Sequence, residues 1–217
     1  MNTRTMTRNM EIIDWGLVPF HEAHQRQLEA VSARLEGRIP DTIILVEHPH
    51  VYTYGRGTKL DSSTLIATSG GIDCVAVERG GDVTYHGPGQ LVAYPVVDVK
   101  VMTGDLHRFI HWLEEVIIRT IAEWGIVGEH HPTFTGVWVA DRKIASIGVA
   151  VRRWISYHGL ALNVSTDLRH FEAIRPCGLS PEVMTSMEKL LGREVPMNEV
   201  RECFTKRLSE TPASSSS

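Results

Sequence analysis

Apolar residues recur at helical spacing in two long stretches of the chain. Phe20, Ala23, Leu28, Val31 and Leu35 predict a helix over 20–37, stopped by Gly37 and Pro40. Leu106, Phe109, Ile110, Leu113, Ile117, Ile121 and Trp124 share a face in a stronger helix over 105–124, with Gly125 after its end. Between them lie short β-branched runs: TIILV at 42–46, and strands at 74–77 and 91–97 that bracket a glycine-rich loop. From Gly136 the spacing changes. Runs at 136–139, 143–151 and 154–163 are separated by polar turns at Asp141-Arg142 and Arg152-Arg153, the pattern of an antiparallel meander. Ser180 as cap and Pro181 in the first turn predict a helix to about Leu191, and another helix begins near Asn198. Strands neither alternate strictly with helices nor stand alone, so the expected class is α+β, a mixed β-sheet with flanking helices.

The chain has 217 residues, enough for one substantial core. No repeat or composition break divides it. One domain over 1–217 is expected, with a core over about 38–210 and a small polar tail at 211–217 that frays. Hydrophobic residues make up 42% and charged residues 22%, which fits an ordinary soluble protein. The net charge of −4 does not suggest a basic face for nucleic acid. Cys74, Cys177 and Cys203 lack CxxC spacing and cannot all pair within one chain, which favours a reducing compartment. Residues 1–14 hold no long apolar run, and no stretch reaches the ~20 apolar residues of a membrane span. A cytoplasmic protein is the simplest reading.

The most unusual segment is RGGDVTYHGPGQ at 79–90, with four glycines and a proline in twelve residues. That density costs backbone entropy and supplies no core side chains, but it lets backbone N–H groups approach a ligand. A multi-turn connector is the plain alternative. A phosphate cradle fits poorly, because the pattern is neither GxxxxGK[ST] nor GxGxxG and leads into a strand.

Cys177 sits in IRPCGLSPE, flanked by proline and glycine just before the expected cap Ser180. A tight turn holds such a cysteine at a defined angle and near the positive end of the next helix. Cys74 in IDCVAV, and Cys203 on a face with Val200, Phe204 and Leu208, read instead as core. A nucleophilic thiol needs a partner that favours thiolate. His86, His158 and His170 are candidates, and so is Lys143 at the start of the apolar strand KIASIGVAV. His48-Pro49-His50 and His130-His131 lack an accompanying ligand motif, so no metal is expected.

In order along the chain, RGGDVTYHGPGQLVAYP (79–95), GVWVADRKIASIGVAV (136–151), YHGLALNVSTDL (157–168) and FEAIRPCGL (171–179) resemble the octanoyltransferase family of lipoate biosynthesis. The resemblance runs from about residue 10 to 208. It implies the biotin/lipoate ligase type of catalytic domain. It also implies transfer of an octanoyl group from acyl carrier protein to a lysine of lipoyl domains, those of 2-oxoacid dehydrogenase E2 subunits and of the glycine cleavage H protein. Cys177 is then the acyl-thioester nucleophile and Lys143 the residue that lowers its pKa. The acyl chain is contacted by Arg79, Gly80, Gly81, Asp82, Val83, Thr84, Tyr85 and His86, by Ser146, Ile147 and Gly148, and by Gly159, Leu160 and Ala161. No cofactor or metal is implied. Two other readings share parts of this sequence: an ATP-dependent ligase of the same fold, which has no use for Cys177, and a lipoyl-domain-binding module, which has no use for Cys177 or Lys143.

Overall fold

A computed structural model describes residues 3–7, 10–58, 71–174 and 180–210. In chain order the strands are β1 (Thr3–Thr7), β2 (Met10–Leu17), β3 (Asp41–Glu47), β4 (Val51–Tyr54), β5 (Asp73–Ala76), β6 (Val83–His86), β7 (Gln90–Val96), β8 (Glu129–His130), β9 (Val137–Val139), β10 (Arg142–Arg152) and β11 (Ile155–Asn163). The helices are α1 (Phe20–Leu35), α2 (Val99–Met102), α3 (Leu106–Ile121), α4 (Met187–Leu191) and α5 (Met197–Glu210). Eight strands form one sheet in the order β1-β2-β3-β7-β11-β10-β9-β8, and β5-β4-β6 form a second. β2 pairs parallel to β3 and β4 parallel to β5; the other pairings are antiparallel. The architecture is the expected mixed α+β arrangement.

The three central strands are apolar on both faces because helices cover both. Ile43, Leu45, Leu91, Ala93, Leu160 and Leu162 pack toward Phe109, Leu113, Val116 and Ile117 of α3 and Val200 and Phe204 of α5. The alternate residues Ile44, Val46, Val92, Tyr94 and Ala161 pack toward Ala23 and Val31 of α1. A strand sandwiched this way reads as a continuous hydrophobic run rather than an alternating one. α3 starts where expected: the Asp105 carboxylate accepts from the N–H groups of His107 and Arg108, at 2.8 and 3.0 Å. Its end is closed by Gly125 in the left-handed region, φ 74°. Among the described residues no helix is long and apolar enough to cross a membrane.

Four expectations need adjustment. The glycine-rich segment contains β6, which pairs with β4 to build the small sheet. β2 and β4 also form, over stretches the pattern left unassigned. The meander turns lie at Ala140-Asp141 and Arg153-Trp154, with positive φ at Ala140, Arg153 and Trp154. Finally, 180–191 is not one helix. A 3-10 turn at Pro181–Val183 is followed by a break, and the Ser186 hydroxyl caps α4 by accepting from Lys189 N–H. The break has a cause. Met184 bridges to Lys143, Thr185 N–H donates to the Lys143 carbonyl at 3.0 Å, and Asn163 Nδ2 donates to the Thr185 carbonyl at 3.0 Å. Those backbone groups are committed to the sheet and unavailable to a helix. The tail at 211–217 lies outside the described residues.

Candidate functional site

Between the two sheets lies a cavity of about 410 Å³. Thirteen of the residues expected at the acyl site line it besides Lys143: Arg79, Gly80, Gly81, Asp82, Val83, Thr84, His86, Ser146, Ile147, Gly148, Gly159, Leu160 and Ala161. Their positions follow from register. β10 and β11 pair with Gly148 opposite Gly159 and Ser146 opposite Ala161, so both small-residue segments form one floor. Glycine is required sterically at 159, and 148 is closely covered. A Cβ on Gly159 would lie 2.1 Å from the Ala93 carbonyl oxygen, and one on Gly148 3.0 Å from Arg79 Cδ. The loop carrying Arg79 is held against the small sheet in the same manner, since a Cβ on Gly55 would lie 2.6 Å from the Gly81 carbonyl oxygen.

Tyr85 behaves differently and does not line the cavity. It is fully buried on the far side of β6, stacked on His170 at 4.8 Å and edge-on to Phe171 at 5.4 Å, with its hydroxyl bonded to His50 Nδ1 at 2.6 Å. Alternation along β6 explains the difference, because neighbours of Tyr85 point to the opposite face. His170 belongs to this aromatic cluster. Cys177 lies outside the described residues.

Lys143 is a cavity residue with only 6% of its surface exposed. Its Nζ lies 5.9 Å from the centre of the Trp138 ring, a cation–π contact. The β9–β10 pairing is irregular between Lys143 and Ala145, and Gly136 accommodates the lysine stem: a Cβ there would come within 2.8 Å of Lys143 Cε. Gly136 is itself fixed from outside, its N–H donating to Glu114 Oε1 of α3 at 2.8 Å.

A polar chain runs along one wall. Arg79 donates to the Thr53 carbonyl (2.8 Å) and to Thr53 Oγ1 (3.1 Å). His86 Nδ1 meets Gln90 Oε1 at 2.8 Å, while Gln90 Nε2 donates to the Tyr85 carbonyl and to Asn163 Oδ1. The Gln90 oxygen therefore accepts, His86 carries its proton on Nδ1, and His86 Nε2 presents a lone pair toward Thr53 Oγ1 at 3.4 Å. Burial first, and then the neighbouring His48, hold the His86 pKa down at about 3. His48 is held near 4, again chiefly by burial; its Nδ1 donates to the Val18 carbonyl and its Nε2 accepts from Tyr94, both at 2.7 Å. His158 is lowered to about 4 by burial. The histidines of this wall are neutral, and the cationic groups lining the cavity are Arg79 and Lys143.

The sequence reading did not anticipate several wall residues. Leu106 and Ile110 are on the expected apolar face of α3, yet they line the cavity instead of packing into the core. Phe20, Tyr94, and Thr133 to Thr135 also line it. Leu106, in the first turn of α3, is 37% exposed to solvent where a core residue would be covered.

Residues 19–209 match the lipoyl protein ligase A/B catalytic domain family. The chain is similar to the octanoyltransferase of Rubrobacter xylanophilus, 50% identical over 188 residues and 84% of either chain. That of Geobacter metallireducens is 45% identical over 192 residues, 88% of either chain. Among solved structures, lipoate-protein ligase A bound with ATP aligns at TM-score 0.73 and 16% identity, over 95% of this chain and 85% of that one. Biotin protein ligase from Aquifex aeolicus aligns at TM-score 0.52 and 13% identity, over 95% and 69%. At those identities the two solved structures bear on the fold alone.

Proposed function

The chain belongs to the lipoyl protein ligase A/B catalytic domain family and is an octanoyltransferase of protein lipoylation; from that premise we propose a mechanism through a thioester on Cys177. The observation that carries it is the burial of Lys143 in the wall of a cavity that also collects Arg79 to Thr84, Ser146 to Gly148 and Gly159 to Ala161. An ammonium fixed in the cavity wall stabilises negative charge that forms beside it. A thiolate carries such charge, and Cys177 is the cysteine whose sequence context fits, as Cys74 and Cys203 are half-buried with thiol pKa values pushed up by burial.

In the first step the Cys177 thiolate attacks the carbonyl carbon of octanoyl-acyl carrier protein, the carrier's C–S bond breaks, and the departing carrier thiolate takes a proton from the Lys143 ammonium, leaving Lys143 neutral. In the second, the ε-amine of a lipoyl-domain lysine attacks the Cys177 thioester. The new C–N bond forms, the C–S bond breaks, and the amine's proton passes to Lys143 or to Cys177. The apolar wall of Val77, Val83, Leu106, Ile110 and Leu160 takes the chain. Seven carbons beyond the carbonyl, at ~0.8 kcal/mol per methylene, contribute about 5 to 6 kcal/mol of binding. The thioester keeps the acyl group activated, so the reaction consumes no nucleotide and needs no cofactor. It takes place in the cytoplasm, with lipoyl domains of 2-oxoacid dehydrogenases and the glycine cleavage H protein as acceptors.

Intact mass spectrometry after incubation with octanoyl-acyl carrier protein tests this. One hydroxylamine-labile octanoyl adduct is expected on the wild type and none on Cys177→Ser. An adduct that persists in Cys177→Ser, or transfer that strictly requires ATP, overturns the mechanism.

A further inference from the structure

Beside the acyl cavity, three elements bring together residues far apart in sequence: His24 of α1, Glu78 ahead of the glycine-rich loop, and His158 of β11. Nε2 of His24 and Nε2 of His158 each lie 3.2 Å from the same oxygen, Glu78 Oε2. One ligand atom from each residue falls within 4.8 Å of the other two. We infer that these three residues bind one zinc-class divalent metal ion, with a coordination position left open to solvent.

The distances suit such an ion. Bonds of about 2.0–2.1 Å in a tetrahedral arrangement place neighbouring ligand atoms ~3.3 Å apart. Hydrogen bonding alone leaves the cluster incomplete. His24 Nε2 is shielded from water and makes no hydrogen bond, so its axis is not aimed at the carboxylate oxygen despite the short separation. Packing and backbone place both rings. The backbone of His158 has φ 55° and its main-chain N–H donates to Gln27 Oε1 at 3.1 Å; Phe20 stacks on the His24 ring at 5.8 Å, and the two imidazoles stack on each other at 5.3 Å. The Glu78 side chain is 41% exposed, which gives an ion access. The adjacent Arg79 guanidinium is turned to the Thr53 and Gly80 carbonyls.

A second His/Glu cluster, His111, Glu114 and His130, has its central imidazole already engaged. Both nitrogens of His130 already meet carboxylates, Glu114 at 2.8 Å and Glu115 at 2.9 Å, so it reads as an ion-pair staple. The site adjoins the acyl cavity through His158, which lines its wall, while His24 and Glu78 lie outside that lining.

The test uses the full chain carrying Cys177→Ser and His111→Ala, stripped with chelator and titrated with Zn²⁺ against a chromophoric chelator. One equivalent is expected to be taken up. His24→Phe, which keeps the stack on Phe20, and Glu78→Gln, on a partly exposed side chain, should each weaken uptake at least tenfold while leaving the thermal transition in chelator unchanged. Co²⁺ should show visible d–d absorption without a thiolate charge-transfer band. No uptake of Zn²⁺, uptake indifferent to both substitutions, or a thiolate band from Cys74 or Cys203 overturns the inference.

Discussion

Two neutral imidazoles buried beside the cavity make stability depend on pH in a defined direction. His48 and His86 have folded-state pKa values near 4 and 3, against about 6.5 in the unfolded chain. Between those limits the unfolded state binds more protons, so stability is full above pH 6.5 and falls as the pH drops. Lowering the pH from 6 to 5 costs about 1 kcal/mol for each ring, about 2 kcal/mol together. His158 acts in the same direction. His130 acts oppositely, because Glu114 and Glu115 raise its pKa against the opposing effect of burial. Its stabilisation is already complete below the unfolded pKa, so it does not mask the decline. Urea midpoints of the metal-free protein, taken in half-unit steps from pH 7 to pH 5, measure the slope. His48→Gln keeps a polar side chain but does not titrate, so the slope between pH 6 and 5 should fall by about 1 kcal/mol per unit. A flat profile in the wild type, or an unaltered slope in His48→Gln, refutes the burial of neutral rings.

Lys143→Ala should raise the pH at which Cys177 is alkylated and slow transfer sharply. Lys143→Arg should restore alkylation but not transfer, if the lysine also moves a proton. At ~4 Å and an effective dielectric near 20, the charge is worth on the order of 4 kcal/mol, enough to move a thiol pKa toward neutrality; unchanged alkylation in Lys143→Ala removes the partnership. Glu114→Ala strips the acceptor from Gly136 N–H and should lower the unfolding free energy by about 2 kcal/mol, with slower transfer because Thr133 to Thr135 line the cavity. Chemical denaturation and steady-state kinetics read both effects. Gly159→Ala meets backbone at 2.1 Å and should cost ~3 kcal/mol or abolish folding, whereas Gly148→Ala meets the flexible Arg79 side chain at 3.0 Å and the Gly80 carbonyl oxygen at 3.1 Å, contacts that a small shift relieves, and should fold but raise KM for the acyl donor. Equal thermal stability of the two variants would contradict the packing.

How much of this was legible in the sequence depends on whether the cause was local. α1, α3, the core strands β3 and β7, and the β9–β10–β11 meander follow from periodicity, each boundary within one to three residues. β6 was hidden because glycines on either side mask a four-residue strand whose partner, β4, lies about thirty residues away. The break before α4 was equally invisible, since its cause is a backbone bond to Lys143 across the fold. The cavity residues at 79–84, 146–148 and 159–161 were legible through the family resemblance, not through spacing. Tyr85 shows the limit of that route: strand alternation turns it toward His50 and His170 while its neighbours face the cavity. His24, Glu78 and His158 could not be grouped by any linear spacing, because helix α1, a loop and β11 meet only in the folded chain.

The place of β11 in the sheet has a consequence for how the protein is made. Among the described residues it is the last strand to leave the ribosome, yet it lies between β7 and β10, and without it the large sheet falls into two separate pieces. β7, with every residue buried in the finished structure, is complete at Val96 and waits for Ile155 before that edge is covered. During that interval an apolar strand carries unpaired N–H and C=O groups, the arrangement that recruits strands from other chains. A nascent chain stalled or cut before Ile155 is therefore a seed for aggregation, and the acyl cavity, whose floor needs both β10 and β11, does not exist until the chain has been made through Asn163.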